Sequence, residues 1–333
     1  MKCMEAMSVR ERFRAVLNFQ PVDRLPIFEW AGWWNLTLER WRREGLSVAE
    51  HDPVALAEHF GLDPHLQYWV GTSLAGLPAP AYHGGPVMHN MDDYLKALPW
   101  LYPPIQTETW RQIAAKRRDG AAVLWLTFEG FFWFPRRLLG IEPHLYAFYD
   151  QPELMHRIHA DLTQWMLRSL EEICAIAVPD FMTFAEDLSY NHGPMLSGAQ
   201  FDEFLLPYYQ QVIPRLHDAG VLAVVDSDGD VTRALPWFAA AGLDGVLPLE
   251  RQAGVDIGKL RALAPRMRFI GHYDKMVMNQ GEAALRREFE RLMPTARQGG
   301  FIISCDHQTP PGVSYQDYLL YLRLFREYAG NVA

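Results

Sequence analysis

A run of branched apolar residues ends in a dense group of carboxylates, and this arrangement limits the folds open to the chain. Val221-Leu-Ala-Val-Val225 is uniformly apolar, as expected of a strand that is buried on both faces. Asp226, Asp228 and Asp230 follow it directly. Ligands of parallel α/β folds bind at the carboxyl ends of the strands. The segment therefore predicts either a functional strand end or an Asp/Gly turn that begins the next helix.

Ionisable side chains follow other apolar runs in the same way, and this recurrence favours a barrel with one functional face. The other runs are residues 26–28, 122–127, 181–184, 245–247, 267–270 and 301–304. The residues that come after them include Glu29, Glu129, Glu186, Asp187, Glu250, His272, Asp274, Cys305, Asp306 and His307. A single such residue would usually be a cap or part of a turn, whereas a ring of them indicates a shared site.

Helical periodicity alternates with these strands in the second half of the chain, which requires a parallel sheet. Helices are predicted at residues 9–17, 35–45, 152–177, 197–219, 232–241, 256–264, 281–298 and 314–328. We expect Asp150 to cap the helix at 152–177, and Pro207 and Pro214 to bend or divide the helix at 197–219. Because no glycine-rich dinucleotide turn is present, the pattern predicts a (β/α)₈ TIM barrel. It would form a single domain over residues 1–333 with an N-terminal helical extension.

Composition and charge exclude several classes of partner. The 333 residues carry a net charge of -9 and no basic stripe, so nucleic-acid binding is not expected. No apolar run has the length of a membrane span, and the first residues lack the apolar core of a signal peptide. Cys3, Cys174 and Cys305 are few and far apart, which predicts a cytoplasmic protein without a disulfide framework. A small-molecule substrate is the partner that we expect.

Four strand-end residues are predicted metal ligands. Cys305 and His307 follow the last predicted strand, and their side chains suit zinc or another divalent metal. Asp226 and Asp228 follow another strand and could complete the same site. A dense carboxylate group also needs a nearby cation in order to stay ionised. The alternative is a buried free cysteine beside a loop whose Asp and His bond to the backbone.

Four residues are predicted to be catalytic: Glu186, Asp187, Asp228 and His307. Glu186 and Asp187 form a carboxylate pair, of which one member can act as general acid or base while the other orients it. The alternative for this pair is a helix start that interacts with the helix dipole.

The predicted substrate-binding residues stand at other strand ends: Glu29, Trp33, Glu129, Arg136, Glu250, His272 and Asp274. Arg136 and Arg137 follow an aromatic run, and for them the alternative to a substrate carboxylate is an ion pair with a strand-end carboxylate. For Trp33 the alternative is packing. Gly271, directly before His272, indicates a close approach between two backbones.

Several motifs resemble those of the uroporphyrinogen decarboxylase (URO-D) superfamily. They include Pro21-Val-Asp-Arg-Leu-Pro26, Phe184-Ala-Glu-Asp187, Ile270-Gly-His-Tyr-Asp-Lys275 and Asp306-His-Gln-Thr-Pro-Pro311. The resemblance covers nearly the whole length and looks most like a branch without an assigned reaction, near the corrinoid-dependent (cobalamin-dependent) methyltransferases. It implies an enzyme with a (β/α)₈ barrel, in agreement with the strand pattern.

The resemblance implies two known chemistries. One is cofactor-free decarboxylation of uroporphyrinogen by enzymes that carry an Arg-rich motif after the first strand. Here the matching segment, Glu29-Trp-Ala-Gly-Trp-Trp34, has no arginine, and we expect uroporphyrinogen to bind poorly. The other is methyl transfer between a corrinoid and a thiol at a zinc ion held by a His-x-Cys motif and a last Cys. Asp226-Ser-Asp228 and Cys305 occupy those positions here.

The leading interpretation is therefore a methyltransferase-like barrel that acts with a corrinoid, supplied by a partner protein, or with a small methylated substrate. The metal that assists it would be zinc or another divalent ion. The first alternative is a cofactor-free decarboxylase or lyase of a carboxylated cyclic or tetrapyrrole-like substrate. The second alternative is a non-catalytic protein that binds a planar ligand.

Overall fold

The structure is a computed structural model that describes residues 6–48, 53–117 and 120–331. Its helices α1–α14 are, in chain order, Val9–Leu17, Asn35–Arg43, Pro53–Phe60, Met91–Ala97, Thr107–Ala115, Trp133–Leu139, Ile141–Asp150, Pro152–Ile176, Gly198–Gln200, Leu206–Asp218, Leu235–Ala241, Ile257–Leu263, Glu282–Ala296 and Tyr315–Gly330. Its strands β1–β9 are His65–Val70, Val123–Glu129, Phe181–Ala185, Ser189–Tyr190, Gly193–Pro194, Leu222–Ser227, Gly245–Pro248, Arg268–Tyr273 and Phe301–Cys305. No helix in this described part is long and apolar enough to cross a membrane.

The chain divides into two compact units, each built from separate stretches of sequence. The first unit comprises Met1–Leu66, Lys116–Val123 and Val246–Ala333. The second unit comprises Gln67–Ala115 and Leu124–Gly245. A single domain over residues 1–333 stays a prediction.

Three parallel strands form the centre of the second unit. β3 pairs with β2 on one side and with β6 on the other, and the register sets Ala185 beside both Glu129 and Asp226. The carboxyl ends of these strands therefore lie side by side. β2 and β3 are buried along their whole lengths, as their continuous apolar runs predict. Helices α8 and α10 pack against each other, and α10 also contacts β6.

The first unit contains the parallel pair β8 and β9, with β7 next to β8. Gly271 in β8 has a φ of 118°, and a Cβ at this position would lie 2.1 Å from the main-chain oxygen of Pro248. The close backbone approach predicted at Gly271 is therefore confirmed. Only a residue without a side chain lets β8 pass Pro248 at this distance.

The mixed α/β class with parallel strands is confirmed, and closure into an eight-stranded barrel stays a prediction. The helical N-terminal part is also confirmed, because α1, α2 and α3 precede β1. The strand predicted at residues 26–28 is wrong. Ile27 donates from its main-chain N to the Asp63 carboxylate at 2.9 Å, and its main-chain O accepts a hydrogen bond from Asp63 N at 2.7 Å. Asp63 therefore hydrogen-bonds the main-chain N and O of Ile27, which in a strand would pair with a neighbouring strand.

Other differences concern helix boundaries and one strand. Asp150 does not cap α8, because it is the last residue of α7, and the cap residue Gln151 makes no side-chain capping bond. The helix at 197–219 contains a π-helical turn at Phe201–Leu205, and α10 begins directly after it with Pro207 in its first turn. Pro214 does not divide the helix, because α10 continues through it to Asp218. The apolar-run pattern does not identify β1, because polar and apolar residues are mixed in that strand.

The contact at Gly271 leads to a stability prediction. Gly271→Ala should destabilise the protein more than Gly254→Ala, a second positive-φ glycine of the first unit at which an added Cβ would meet nothing within 4 Å. Both variants carry the cost of a left-handed residue, about 1–2 kcal/mol. Only Gly271→Ala adds an overlap with main-chain atoms, which should cost about 1–3 kcal/mol more. Urea unfolding measures both values, and equal losses would contradict the close approach.

Candidate functional site

Glu186, directly after β3, is fully buried and accepts hydrogen bonds on both carboxylate oxygens. Oε1 accepts from Phe131 N at 2.8 Å, and Oε2 accepts from Phe132 N at 2.6 Å and from Trp133 N at 3.2 Å. The hydroxyl of Tyr209 also donates to Oε1. Because α6 begins at Trp133, this carboxylate satisfies amides that the helix itself cannot. Burial raises the pKa of Glu186 to about 7, although the Tyr209 hydroxyl and the three amides lower it.

Gly130 makes room for this arrangement. A Cβ on Gly130 would lie 2.1 Å from the Glu186 carboxyl carbon, so a side chain there would displace the carboxylate. The predicted helix-start alternative for Glu186 therefore matches its contacts, with the helix supplied by a distant segment. A catalytic role for Glu186 stays a prediction.

Three half-buried aspartates form an aspartate cluster, Asp187, Asp226 and Asp228, at the ends of β3 and β6. Asp228 N donates to Asp187 Oδ1 at 3.3 Å, and Asp187 N donates to the main-chain O of Asp226 at 3.3 Å. Burial raises the pKa of Asp226 well above its usual value, and the charges of Asp187 and Asp228 raise it further. Asp226 therefore keeps its proton to a higher pH than an ordinary aspartate does.

The loop that carries Asp228 is held by close main-chain contacts. Ser227 Oγ accepts from Leu188 N at 3.1 Å and donates to the Asp228 carbonyl at 3.2 Å. Gly229 has a φ of 82°, and a Cβ there would lie 2.6 Å from main-chain atoms of Ser189 and Tyr190. This loop is therefore pressed against the β4–β5 hairpin, which fixes the aspartate cluster.

Two adjacent arginines of α6 have different partners. Arg136 donates from Nη1 to the main-chain O of Asp187 at 3.0 Å, and its guanidinium lies 4.8 Å from the Trp133 ring centre. Burial lowers the pKa of Arg136, and the charge of Asp187 opposes this effect. Arg137 instead pairs with Glu129, with Nε 2.7 Å from Oε1. The predicted ion pair with a strand-end carboxylate is thus made by Arg137, and the Arg136 guanidinium bonds a carbonyl.

Glu129 is buried beside its partner. Burial raises the pKa of Glu129, and Arg137 is the largest influence that lowers it. Arg137 Nη2 also donates to Thr72 Oγ1 at 2.9 Å and to Ser73 Oγ at 3.2 Å. Substrate binding by Glu129 stays a prediction.

In the first unit, Asp306 lies after β9 and is fully buried. It accepts hydrogen bonds from Arg251 N at 2.9 Å and from Lys275 N at 3.2 Å, and Lys275 Nζ lies 3.4 Å from Oδ1. Burial raises the pKa of Asp306 to about 6, and the Lys275 charge and the two amides lower it. A buried aspartate is thus held beside one ammonium group.

Lys275, which was not among the predicted site residues, lies beside several of the predicted carboxylates. Its Nζ donates to Gln252 Oε1 at 2.6 Å and lies 3.7 Å from Glu250 Oε1. Gln252 in turn donates to Asp274 Oδ1 at 2.7 Å. The structure therefore brings Glu250, Asp274 and Asp306 around a single lysine. The signal in the sequence was its position directly after Asp274, past the end of β8.

Glu29 is another buried carboxyl that the surrounding protein satisfies. It accepts hydrogen bonds from Tyr321 Oη at 2.6 Å, Cys305 N at 2.9 Å and Ser304 Oγ at 3.0 Å. Burial raises the pKa of Glu29, these bonds lower it, and the charge of Asp306 raises it again. Glu29 therefore ties the segment after α1 to the end of β9, and substrate binding by it stays a prediction.

Two other predicted substrate-binding residues are engaged with protein groups. His272 is buried, with Nδ1 2.8 Å from the Leu249 carbonyl and Nε2 3.2 Å from the Ile257 amide. Since an amide can only donate, Nδ1 carries the proton, and burial lowers the pKa of His272 to about 4. Trp33 packs edge-on against Tyr318, with ring centres 6.1 Å apart, which matches the packing alternative. Their roles in substrate binding stay predictions.

Cys305 and His307 differ in what surrounds them. The Cys305 thiol is buried 3.8 Å from the Met278 sulfur, and burial raises its pKa well above the usual value. Without a nearby cation this thiol therefore keeps its proton. The half-buried His307 ring lies edge-on to Trp30, with centres 5.9 Å apart. Cys174 and Cys305 are free thiols, and Cys3 lies outside the described residues.

The donors that the structure describes do not fit a resident metal ion. Within residues 6–48, 53–117 and 120–331, no three His, Cys, Asp or Glu side chains are grouped to hold one. We derive no reaction step through a metal. Zinc, or another divalent metal, and a corrinoid stay predictions.

The sequence profile described as uroporphyrinogen decarboxylase (URO-D) matches residues 137–328, which is more than half of the 333 residues. The chain belongs to the uroporphyrinogen decarboxylase family. Members of this family are mostly enzymes, either decarboxylases or methyltransferases. The matched region contains Glu186, the aspartate cluster, Lys275 and Asp306, whereas Glu29 and Arg136 precede it.

Other comparisons are weaker. No curated protein matches the chain. A putative vitamin-B12 independent methionine synthase from Listeria monocytogenes is 12% identical with a TM-score of 0.44, and the match covers 69% of this chain and 72% of that one. The YdhT protein from Bacillus subtilis is 10% identical with a TM-score of 0.46, over 92% of this chain and 90% of that one. Likenesses at this level carry no argument about the reaction.

The bonds of Glu186 predict a stability loss. Glu186→Gln should lower the free energy of unfolding by about 1–3 kcal/mol, because its NH₂ group cannot accept from the amides at the start of α6. Glu172→Gln, an exposed change in α8, is the matched control and should have no measurable effect. Urea unfolding of both variants measures the loss of stability. If Glu186→Gln is as stable as the wild type, Glu186 does not cap α6.

The raised pKa of Asp306 predicts a pH dependence of stability. Because its pKa is about 6 in the folded protein against a usual 3.8, the folded state binds more protons between these values. Its contribution to the free energy of unfolding is therefore full below the usual pKa and is lost as the pH rises through the folded value. Because asparagine does not titrate, Asp306→Asn should remove this part of the decrease in unfolding free energy, which amounts to up to about 3 kcal/mol.

Urea unfolding of the wild type and of Asp306→Asn from about pH 4 to about pH 7 measures the difference. Glu39→Gln, an exposed change in α2 of the same unit, serves as the control. Parallel stability curves for wild type and Asp306→Asn would show that burial does not hold a proton on Asp306.

Proposed function

We propose that this URO-D family chain is a cofactor-free carboxy-lyase that removes a carboxyl group from a small cyclic acid. The observation that carries the proposal is the aspartate cluster, in which the charges of Asp187 and Asp228 act on the half-buried Asp226. A carboxyl whose pKa is raised by burial and by neighbouring negative charges is suited to act as a general acid. The family membership supports the same class of reaction.

In the proposed reaction, the Asp226 carboxyl gives its proton to the ring carbon that bears the substrate carboxylate. The bond between that carbon and the carboxylate then breaks, its electron pair returns to the ring, and CO₂ leaves. Asp226, now a carboxylate, recovers a proton from water. The net change replaces a carboxylate by hydrogen, and no oxidant, reductant or cofactor is needed. The substrate must therefore have an electron-rich ring that accepts the proton.

The neighbours of Asp226 would have distinct tasks. Asp187 and Asp228 raise the proton affinity of Asp226 through their negative charge. Asp187 is also held by Arg136 through its carbonyl oxygen, which brings a cation beside the cluster. Such a cation favours a substrate with a negative charge. In contrast, Glu186 and Asp306 are fully buried, so we assign them to positioning rather than to contact with substrate.

The second candidate is methyl transfer, the leading interpretation of the sequence. The aspartate cluster favours transfer from an oxygen- or nitrogen-linked methyl group. A protonated Asp226 could also protonate the oxygen or nitrogen that is left when a methyl group passes to a corrinoid. The thiol-activating form would require a zinc ion to deprotonate the buried Cys305 thiol, whose pKa is raised by burial. Zinc or another divalent metal would have to be demonstrated by elemental analysis of the purified protein.

The test is deuterium incorporation. The protein is incubated in D₂O with uroporphyrinogen, pyrrole-2-carboxylate or 4-hydroxybenzoate, and NMR follows loss of the carboxylate and entry of deuterium at the same carbon. We expect turnover of a small ring acid and little turnover of uroporphyrinogen. Asp226→Asn should reduce the rate by about 100-fold or more, as the loss of a general acid does. The rate of the wild type should fall as the pH rises above the raised pKa of Asp226.

Controls separate the candidates. Glu172→Gln, exposed in α8, should leave the rate unchanged. Turnover that is indifferent to Asp226→Asn would overturn the proposed role of the cluster. Methyl transfer to an added corrinoid, without loss of CO₂ from any acid, would establish the second candidate instead. Ligand binding without any turnover would make the protein a binder of planar ligands.

A further inference from the structure

A cleft of about 230 Å³ opens in the second unit, on the side of α6 that carries the two arginines. The residues that define its chemistry are Pro80, His83, Trp133, Arg136, Arg137 and Ile141. Drug-sized ligands occupy pockets of roughly 300–1,000 Å³, so a cleft of this size suits a single small ring. It combines apolar walls with two guanidinium groups.

The loop that forms one wall of the cleft is fixed to the junction between α6 and α7. Ile141 N donates to the Gly84 carbonyl at 3.0 Å, and Val87 N donates to the Leu138 carbonyl at 2.8 Å. Gly140 has a φ of 85°, and a Cβ there would lie 2.8 Å from the main-chain N of Pro86. Because the two backbones touch, the cleft is already formed before a ligand enters.

The two guanidinium groups are not equally available to a ligand. Arg137 is held by the Glu129 carboxylate and by the Thr72 hydroxyl. Arg136 makes one hydrogen bond to a side chain or backbone group of the described residues, to the Asp187 carbonyl, and this bond uses only Nη1. Its other N–H groups can donate to a ligand, and a guanidinium binds a carboxylate through two parallel bonds.

The aromatic ring beside Arg136 indicates the shape of the ligand. The Arg136 guanidinium lies 4.8 Å from the centre of the Trp133 ring, so a cation and a flat surface stand together in the cleft. Ile141 and Pro80 add apolar contacts on the walls. His83, at the exposed rim, adds a polar side chain. This combination matches a flat ring with one negative group.

We propose that this cleft binds a small planar carboxylic acid, with Arg136 as the donor to its carboxylate and Trp133 as the surface for its ring. This inference rests on the proposed function, because the cleft would be the substrate site of the carboxy-lyase. Small planar carboxylic acids would then be its substrate class. Arg136 connects the two, because it lines the cleft and also bonds Asp187 of the aspartate cluster.

Isothermal titration with benzoate tests the cleft without requiring turnover. Benzamide has the same ring without a charge, and inorganic phosphate has charge without a ring. We expect benzoate to bind at least about tenfold more tightly than either, and more weakly as the salt concentration rises. Arg136→Gln should weaken benzoate binding by about tenfold or more, and Arg136→Lys should restore only part of it.

Two further variants complete the test. Arg168→Gln removes an exposed arginine of α8 in the same unit and should leave benzoate binding unchanged. Trp133→Leu keeps the amide that Glu186 accepts from, removes the ring and should weaken benzoate more than phosphate. If circular dichroism shows that Arg136→Gln is unfolded, Trp133→Leu alone tests whether the cleft binds benzoate. Benzoate binding that is unaffected by Arg136→Gln or by Trp133→Leu in a folded protein would overturn the inference.

The two proposals fail separately. Asp226→Asn should bind benzoate as the wild type does, because it leaves the cleft intact. If benzoate binding depends on Arg136 but no ring acid loses CO₂, the carboxy-lyase function fails and the cleft stands. If a ring acid loses CO₂ through Asp226 but benzoate binding is independent of Arg136, the function stands and the cleft is not its substrate site.

Discussion

The carboxylate of Glu186, buried against the amides at the start of α6, is the contact on which the candidate site depends. It joins the end of β3 to a helix that comes more than fifty residues earlier in the chain. Tyr209 of α10 donates to the same carboxylate, so three separate segments meet on one side chain. The hydrogen bonds offset the cost of removing this group from water. The position of Arg136, and with it the cleft, follows from where α6 begins.

The first unit uses buried carboxyls in the same way. Glu29 receives the amide of Cys305 and two hydroxyls, and Asp306 receives the amides of Arg251 and Lys275. Each of these carboxyls holds the end of a strand to a loop or to a helix. They are satisfied by the protein, whereas the aspartate cluster is half-buried and is crowded by its own charges. This contrast is the physical ground for assigning chemistry to Asp226 rather than to the fully buried groups.

Sequence patterns predicted the elements well where the signal was local. The apolar runs at β2, β3, β6, β8 and β9 are strands, and the helix at residues 9–17 has the predicted ends. The close approach at Gly271 also followed from the residue type. The pattern failed at residues 26–28, where the hydrogen bonds go to Asp63, a partner that no local pattern indicates. For the adjacent Arg136 and Arg137 the sequence left open an ion pair with a strand-end carboxylate, and the structure shows that Arg137 makes it with Glu129.

The sequence alone determined the α/β class, the strands β2, β3, β6, β7, β8 and β9, the ionisable residues that follow them and the resemblance that the family match confirmed. These depend on periodicity and residue type, which are local properties. Only the tertiary structure decided which carboxyls are capped by amides, which keep a proton and which guanidinium remains available. The reason is that burial and hydrogen-bond partners come from segments far apart in the chain, such as residues 131–133 for Glu186. The proton affinity of a carboxyl depends on those distant partners, and no local pattern specifies them.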